Sequence, residues 1–184
     1  MTTDNAPRLS TPATGVIFTG GASGIGLASA QALATVGRGV ALWDLNGAKA
    51  ESEAAAITAM TGTPAIGLSV DLRNPDAWPA GIEASRAALG SLGGLVHAAG
   101  IVDTGSLEGI TPESWAAGID THLRPLALLT KALLNDFTAN PGSAVVGIAS
   151  INATLGNGIN PIYSAAKSWM LGLIRSLADR LGQD

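Results

Sequence analysis

Five short runs in this chain are apolar almost without interruption: Gly15–Thr19, then residues 39–43, 65–70, 94–98 and 143–149. A strand with one face in water alternates apolar and polar residues, whereas a strand buried on both faces does not. Between the runs lie stretches with helical spacing at 25–36, 47–60 and 75–89, a long segment after Thr111, and Pro161–Leu181. Pro75 is placed to start its helix, and Thr111 to cap the long one, with Pro112 and Glu113 in its first turn. Apolar strands alternating with helices predict a parallel sheet covered on both faces, a doubly wound α/β domain.

The chain has 184 residues, enough for one domain with a substantial core, and no internal repeat divides it. Residues 1–14 are polar, contain two prolines and lack the apolar centre of a signal peptide, so they read as a flexible tail before a domain at 15–184. There are no cysteines and only two histidines, which excludes disulfides and thiolate chemistry and leaves no expectation of a metal. A net charge of −4 argues against a nucleic-acid partner, and no apolar run reaches the length of a membrane span. The default expectation is a cytoplasmic protein.

After the first apolar run comes Thr19-Gly20-Gly21-Ala22-Ser23-Gly24-Ile25-Gly26. Glycines at 20, 24 and 26 permit a tight turn, a close backbone approach and tight helix–strand packing. The helix that follows aims its free amides and positive end at the loop, a setting suited to a pyrophosphate. Asp44 ends the second run, where a carboxylate can accept hydrogen bonds from an adenosine ribose and repel a 2′-phosphate. No basic residue stands at Ala22, Leu45 or Asn46. This favours NAD over NADP; the plainer reading is an aspartate that begins a turn. Asp71 and Leu72 close the third run, either at the adenine edge or as a cap before Pro75.

Tyr163, the only tyrosine, stands at i, i+4 from Lys167 on the last predicted helix. Those positions share a helix face, and an ammonium beside a phenol favours the phenolate. The pair suits proton transfer near neutral pH, and Ser150 lies upstream after the fifth run.

Together these residues resemble the short-chain dehydrogenase/reductase family. The matching motifs are TGGASGIG at 19–26, Asp44, the VDL around Asp71, HAAG at 97–100, Ser150, and YSAAK at 163–167, in the expected order over about residues 15 to 181. The resemblance implies a Rossmann-like fold apparently lacking the family's last strands. It implies cofactor contacts from Gly20, Ser23, Gly24, Ile25, Gly26, Asp44, Asp71, Leu72, Ala98, Ala99, Gly100, Tyr163 and Lys167. It makes Tyr163 the general acid/base, Ser150 a donor to the reacting oxygen, and Lys167 a partner of both Tyr163 and the nicotinamide ribose. The loop after Ser150 faces the substrate in the family, so Asn152, Leu155 and Asn157 become candidate substrate contacts.

Two positions depart from the family pattern. His97 stands for an asparagine and is expected to be structural, with its ring bonded internally. His122 stands for the asparagine that supports a water relay behind the lysine. Two readings of His122 stand: a catalytic relay residue, or a histidine buried at a subunit interface. Pro125 should kink the helix and open its ladder near His122, so that a water can enter.

The expectation is thus an NAD-dependent oxidoreductase on a small-molecule secondary alcohol or ketone, forming a homodimer or homotetramer through the apolar helices at 111–135 and 161–181. The alternatives are a nucleotide-binding relative without catalysis and, more distantly, an epimerase or dehydratase acting on nucleotide sugars. The fifth strand would be an exposed apolar edge, so the native chain is expected to continue past Asp184 or to have this edge covered by a partner.

Overall fold

The computed structural model describes residues 13–182. Five strands, β1 (Gly15–Thr19), β2 (Val40–Asp44), β3 (Ala65–Ser69), β4 (Leu92–His97) and β5 (Ala144–Gly147), form one sheet in the order β3-β2-β1-β4-β5. Every pairing is parallel. The doubly wound α/β fold read from the apolar runs is the fold observed.

Eight helices connect and cover the strands among the described residues: α1 (Gly24–Thr35), α2 (Gly47–Thr61), α3 (Trp78–Leu89), α4 (Pro112–His122), α5 (Arg124–Ala132), α6 (Leu134–Ala139), α7 (Asn152–Leu155) and α8 (Pro161–Leu181). Side chains of β1 point alternately to the two faces, as a strand requires. Val16 and Phe18 pack on the small residues Ala30, Ala34, Ala50 and Ala54 of α1 and α2. Ile17 packs on the other face with Trp43, Leu95, Trp78, Ile82, Leu129, Leu133 and Phe137 from neighbouring strands and from α3, α5 and α6. Fully burying side chains of this size contributes about 1.5–3 kcal/mol each.

Several local expectations shift. Pro75 starts a 3-10 turn (Pro75–Ala77) stabilised by Asn74, and the α-helix begins only at Trp78. The long helix is three segments, α4, α5 and α6: Leu133 leaves helical geometry (φ −93°, ψ 3°), while Leu123 keeps a helical ψ of −53° with φ stretched to −112°, just before Pro125. Thr111 caps α4 as expected, sharing a reciprocal pair of bonds with Ser114. The tail at 1–14 lies almost wholly outside the described residues. Ala13 and Thr14 are the exceptions; Thr14 is buried, and Arg38 donates to its carbonyl at 3.0 Å and its hydroxyl at 2.9 Å.

β5 forms one edge of the sheet, with Val146 exposed. Beside it, Phe137, Val145, Ile174, Leu177 and Leu181 line an apolar groove of about 520 Å³.

Candidate active site

A second cleft, of about 470 Å³, opens at the carboxyl ends of β1, β2, β3 and β4. Ser150, Tyr163 and Lys167 are not among its lining residues. Gly20, Ser23, Gly24, Ile25, Gly26, Asp44, Asp71, Leu72, Ala98, Ala99 and Gly100 all line it. The structure therefore brings together every expected cofactor contact from the first four strands.

The glycine loop fits without room to spare. Gly20 has φ +65°, and a Cβ there would lie 2.8 Å from Ala99 Cα. A Cβ on Gly26 would lie 2.3 Å from the Gly20 carbonyl oxygen. The Gly21 amide donates to the Trp43 carbonyl (3.1 Å), and the Ala22 amide donates to Asp44 Oδ2 (3.1 Å). The first amide of α1 with a helical partner is Leu27, bonded to the Ser23 carbonyl at 3.1 Å. The amides before it face the loop without helical partners. Ser23 is the N-cap but makes no side-chain cap bond.

Asp44 braces both loops beside it, since its Oδ1 accepts from the Asn46 amide at 3.0 Å. Asp71 is a turn brace. Arg73 forks onto it at 2.9 and 2.7 Å and adds its own amide at 2.9 Å. The Arg73 guanidinium holds the Asp71 carboxyl below the usual carboxylate range.

His97, at the end of β4, is fully buried. Its Nε2 lies 3.0 Å from the His122 carbonyl, which can only accept, so the proton sits on Nε2. Nδ1 then accepts from the Thr19 hydroxyl at 2.7 Å. The ring is bonded internally, as expected. Burial, helped by the nearby Lys167 charge, lowers its pKa to about 4.

The unfolded chain therefore binds more protons than the folded one between about pH 6.5 and 4. The stability this adds is complete above 6.5 and drains away as pH falls through 4. The effect should reach about 3 kcal/mol. Urea unfolding at pH 7 and at about pH 4.5 should show a loss that His97→Asn largely removes. Parallel losses in both proteins would refute the assignment.

The expected helix break is present. α4 ends at His122, and Leu123 has φ −112° and ψ −53° before α5 begins with Arg124 and Pro125. Proline has no amide to give the Thr121 carbonyl, so the ladder opens there. The His122 carbonyl receives the His97 imidazole, a side chain where a water was expected. The His122 ring is itself wholly buried within this one chain, which sets aside burial at a subunit interface. Its Nε2 is 2.7 Å from the Ile101 carbonyl and 3.1 Å from the Ile101 amide. The shorter contact, to an acceptor, places the proton on Nε2. Nδ1 has no partner among the described residues. Desolvation lowers the His122 pKa. The ring stands edge-on to Tyr163, centroids 5.4 Å apart.

Lys167 is buried on the same helix turn, and its Nζ donates to the Ile148 carbonyl at 2.5 Å. That Nζ lies 5.6 Å from the Tyr163 ring centroid. Burial lowers the Lys167 pKa to about 8. Tyr163, Lys167 and His122 thus form one cluster. Ser150 is half-buried after β5, and its hydroxyl accepts from the Asn152 amide at 3.2 Å.

The substrate candidates divide. Asn152 Nδ2 donates to Asn160 Oδ1 at 3.0 Å, and Asn157 Oδ1 accepts from the Ile159 amide at 2.9 Å. Both side chains brace their loop. Leu155 is exposed.

One residue was missed. Asp103, in the loop after β4, accepts from the backbone amides of Tyr163 (2.8 Å) and Ile162 (3.2 Å). No local pattern announces a cap supplied from 60 positions away.

A sequence profile described as short chain dehydrogenase matches residues 14–184. The chain is 36% identical over 170 residues to the protein named "Probable galactose dehydrogenase" of Rhizobium meliloti, covering 92% of this chain and 66% of that one. It is 32% identical to the 3-oxoacyl-[acyl-carrier-protein] reductase of Escherichia coli, covering 88% and 65%. L-sorbose reductase from Gluconobacter frateurii, solved with NADPH and L-sorbose, superposes with a TM-score of 0.87 at 25% identity, over 92% of this chain and 65% of that one. The 3-ketoacyl-(acyl-carrier-protein) reductase of Brucella melitensis, solved with NADH, gives 0.84 at 26%, over 92% and 71%. The chain spans just under two thirds of the length of the curated relatives it matches. With the glycine loop, the Tyr163–Lys167 pair and this profile in agreement, the chain belongs to the short-chain dehydrogenase family.

Proposed function

We propose that this chain carries the cofactor cleft and the proton-transfer group of an NAD-dependent oxidoreductase interconverting a secondary alcohol and a ketone. The observation that carries this reading is the cluster of Tyr163, Lys167 and His122 beside a cleft whose glycine loop packs so close to Ala99 that Gly20 has no room for a Cβ. A nicotinamide held in this cleft would contribute the hydride chemistry. The chain's own residues do the rest. The unpartnered amides at the start of α1 hold the pyrophosphate. Tyr163 gives or takes the proton at the substrate oxygen, and Ser150 donates a hydrogen bond to that oxygen. Lys167, fixed by the Ile148 carbonyl, holds the nicotinamide ribose.

NAD is the preferred cofactor in this reading. Asp44 is pinned by two amides at the end of β2, where it accepts from ribose hydroxyls and repels an added phosphate. Arg73 lines the same cleft, but its guanidinium is forked onto Asp71. The substrate is a small-molecule alcohol or ketone. Exposed Trp115 and Trp169, packed edge to face at 5.7 Å, and exposed Leu128 support a homodimer or homotetramer through α4, α5 and α8.

Buried Trp43 lines the cleft and gives the assay a fluorescent reporter. NADH should quench it at concentrations about tenfold or more below NADPH, a difference of at least ~1.4 kcal/mol. Asp44→Ala should erase most of that preference. A panel of secondary alcohols should yield NADH. Equal affinity for the two cofactors would overturn the NAD assignment, and binding without turnover of any alcohol would overturn the catalytic one.

A further inference from the structure

We propose that Asp103 is a positioning residue that sets Tyr163 against the cofactor cleft, by capping α8 from a strap that also lines the cleft. The proposal rests on Tyr163 being the proton-transfer group.

A helix leaves its first amides without partners, and a residue just before it usually supplies the acceptor. In α8 that arrangement is absent. Asn160 occupies the N-cap position and makes no side-chain cap bond; its Oδ1 is taken by Asn152. Pro161 has no amide to satisfy. The Ser164 amide reaches the Asn160 carbonyl at 3.0 Å. The two amides between them, Ile162 and Tyr163, both donate to the carboxylate of Asp103. One of those amides belongs to the catalytic candidate itself. The carboxylate also lies at the positive end of a 21-residue helix, where negative charge is favoured.

The carrier of this cap matters as much as the cap. Asp103 sits on the short segment that leaves β4. The Ala98 amide is held by the Thr19 carbonyl at 3.1 Å, and Ala98, Ala99 and Gly100 line the cleft. The carbonyl of Ile101 accepts from the His122 ring at 2.7 Å. Asp103 then grips Tyr163. Within the six residues 98–103, Ala98 to Ile101 line the cleft, Ile101 also holds His122, and Asp103 holds Tyr163. Tyr163 is therefore tied to the cleft by this strap, independently of how α8 packs along its length. A misplacement of about 1 Å between reacting groups can cost on the order of a hundredfold in rate.

The test compares Asp103→Ala, Asp103→Asn and Tyr163→Phe in the full protein. Turnover, NADH affinity by tryptophan quenching, and amide hydrogen exchange at 162–163 are read for each. Asp103→Ala should lower kcat by roughly ten- to a hundredfold. NADH affinity should stay within about twofold, and exchange at 162–163 should rise. Asp103→Asn keeps one acceptor and is itself a good capping type, so it should recover kcat to within about fivefold of wild type.

Wild-type kcat in Asp103→Ala, with Tyr163→Phe inactive, overturns the proposal and leaves the Tyr163 assignment standing. A matching loss of NADH affinity also overturns it, because the damage would then be general. Should Asp103→Ala not fold, Asp103→Asn decides: raised exchange at 162–163 with a kcat about two- to fivefold below wild type at unchanged NADH affinity supports the role, and any other combination refutes it. An active Tyr163→Phe defeats the reading underneath, whatever Asp103 does.

Discussion

Tyr163→Phe is expected to lower kcat by roughly a thousandfold, within the range a positioned acid or base contributes. NADH affinity should remain within about twofold. The expectation is sharp because the substitution removes one oxygen and leaves its surroundings intact. The ring keeps its edge contact with His122. Asp103 bonds the backbone amide at this position, which phenylalanine also has. Lys167 stays fixed by the Ile148 carbonyl, 19 positions away in the chain. A thousandfold loss corresponds to about 4 kcal/mol of transition-state stabilisation. Single-turnover measurements with bound NADH would separate the proton-transfer step from release. A variant that retains wild-type kcat would remove Tyr163 from the mechanism.

The second large effect lies at Gly26→Ala. Its added methyl would sit 2.3 Å from the Gly20 carbonyl oxygen, well inside contact distance, and that neighbour is backbone. Gly20 has little room to yield, because a Cβ built on it would itself lie 2.8 Å from Ala99 Cα. The strain of overpacking is about 1–3 kcal/mol. It falls where α1 meets the glycine loop, so it should appear as a roughly tenfold to hundredfold loss of NADH affinity. Ser23→Ala is the control: Ser23 is exposed and makes no cap bond, so losing its hydroxyl should leave the melting temperature unchanged. Unchanged NADH binding in Gly26→Ala would mean that the loop can reshape around a methyl group.

What could be read in advance follows from the range of the forces involved. The strands and the glycine loop are legible because burial on two faces and steric tolerance leave local marks, such as Val16-Ile17-Phe18 and Gly20. The break near Pro125 is legible because a missing amide is a local fact. Its occupant is not. His97 ends β4 and reaches the carbonyl of His122 at the end of α4 across 25 positions, and only the packing of that helix end against the sheet brings them together. Asp103 is hidden for the same reason. Asn152 and Asn157 illustrate another limit. Asparagine side chains often bond nearby backbone or loop groups, and polar character alone does not separate such bracing from substrate contact. Pro75 shows that a helix-starting residue can begin a 3-10 turn first, since its fixed φ suits both.

The strand order has a consequence for how the molecule is made. β1 pairs with β2 through one nearby crossover, but its other neighbour is β4, and the Thr19–His97 contact closes a span of 78 positions. As the chain leaves the ribosome, β1, β2 and β3 are available to one another first. Meanwhile the second flank of β1 stands open, with Val16, Ile17 and Phe18 all apolar. Contacts of such separation form slowly, and unpaired apolar strands are what chaperones meet. The half with the glycine loop is therefore synthesised before the half with Tyr163 and Lys167. The Thr19–His97–His122 bonds record the moment of joining, since they cannot exist until β4 has slotted beside β1 and α4 has been made.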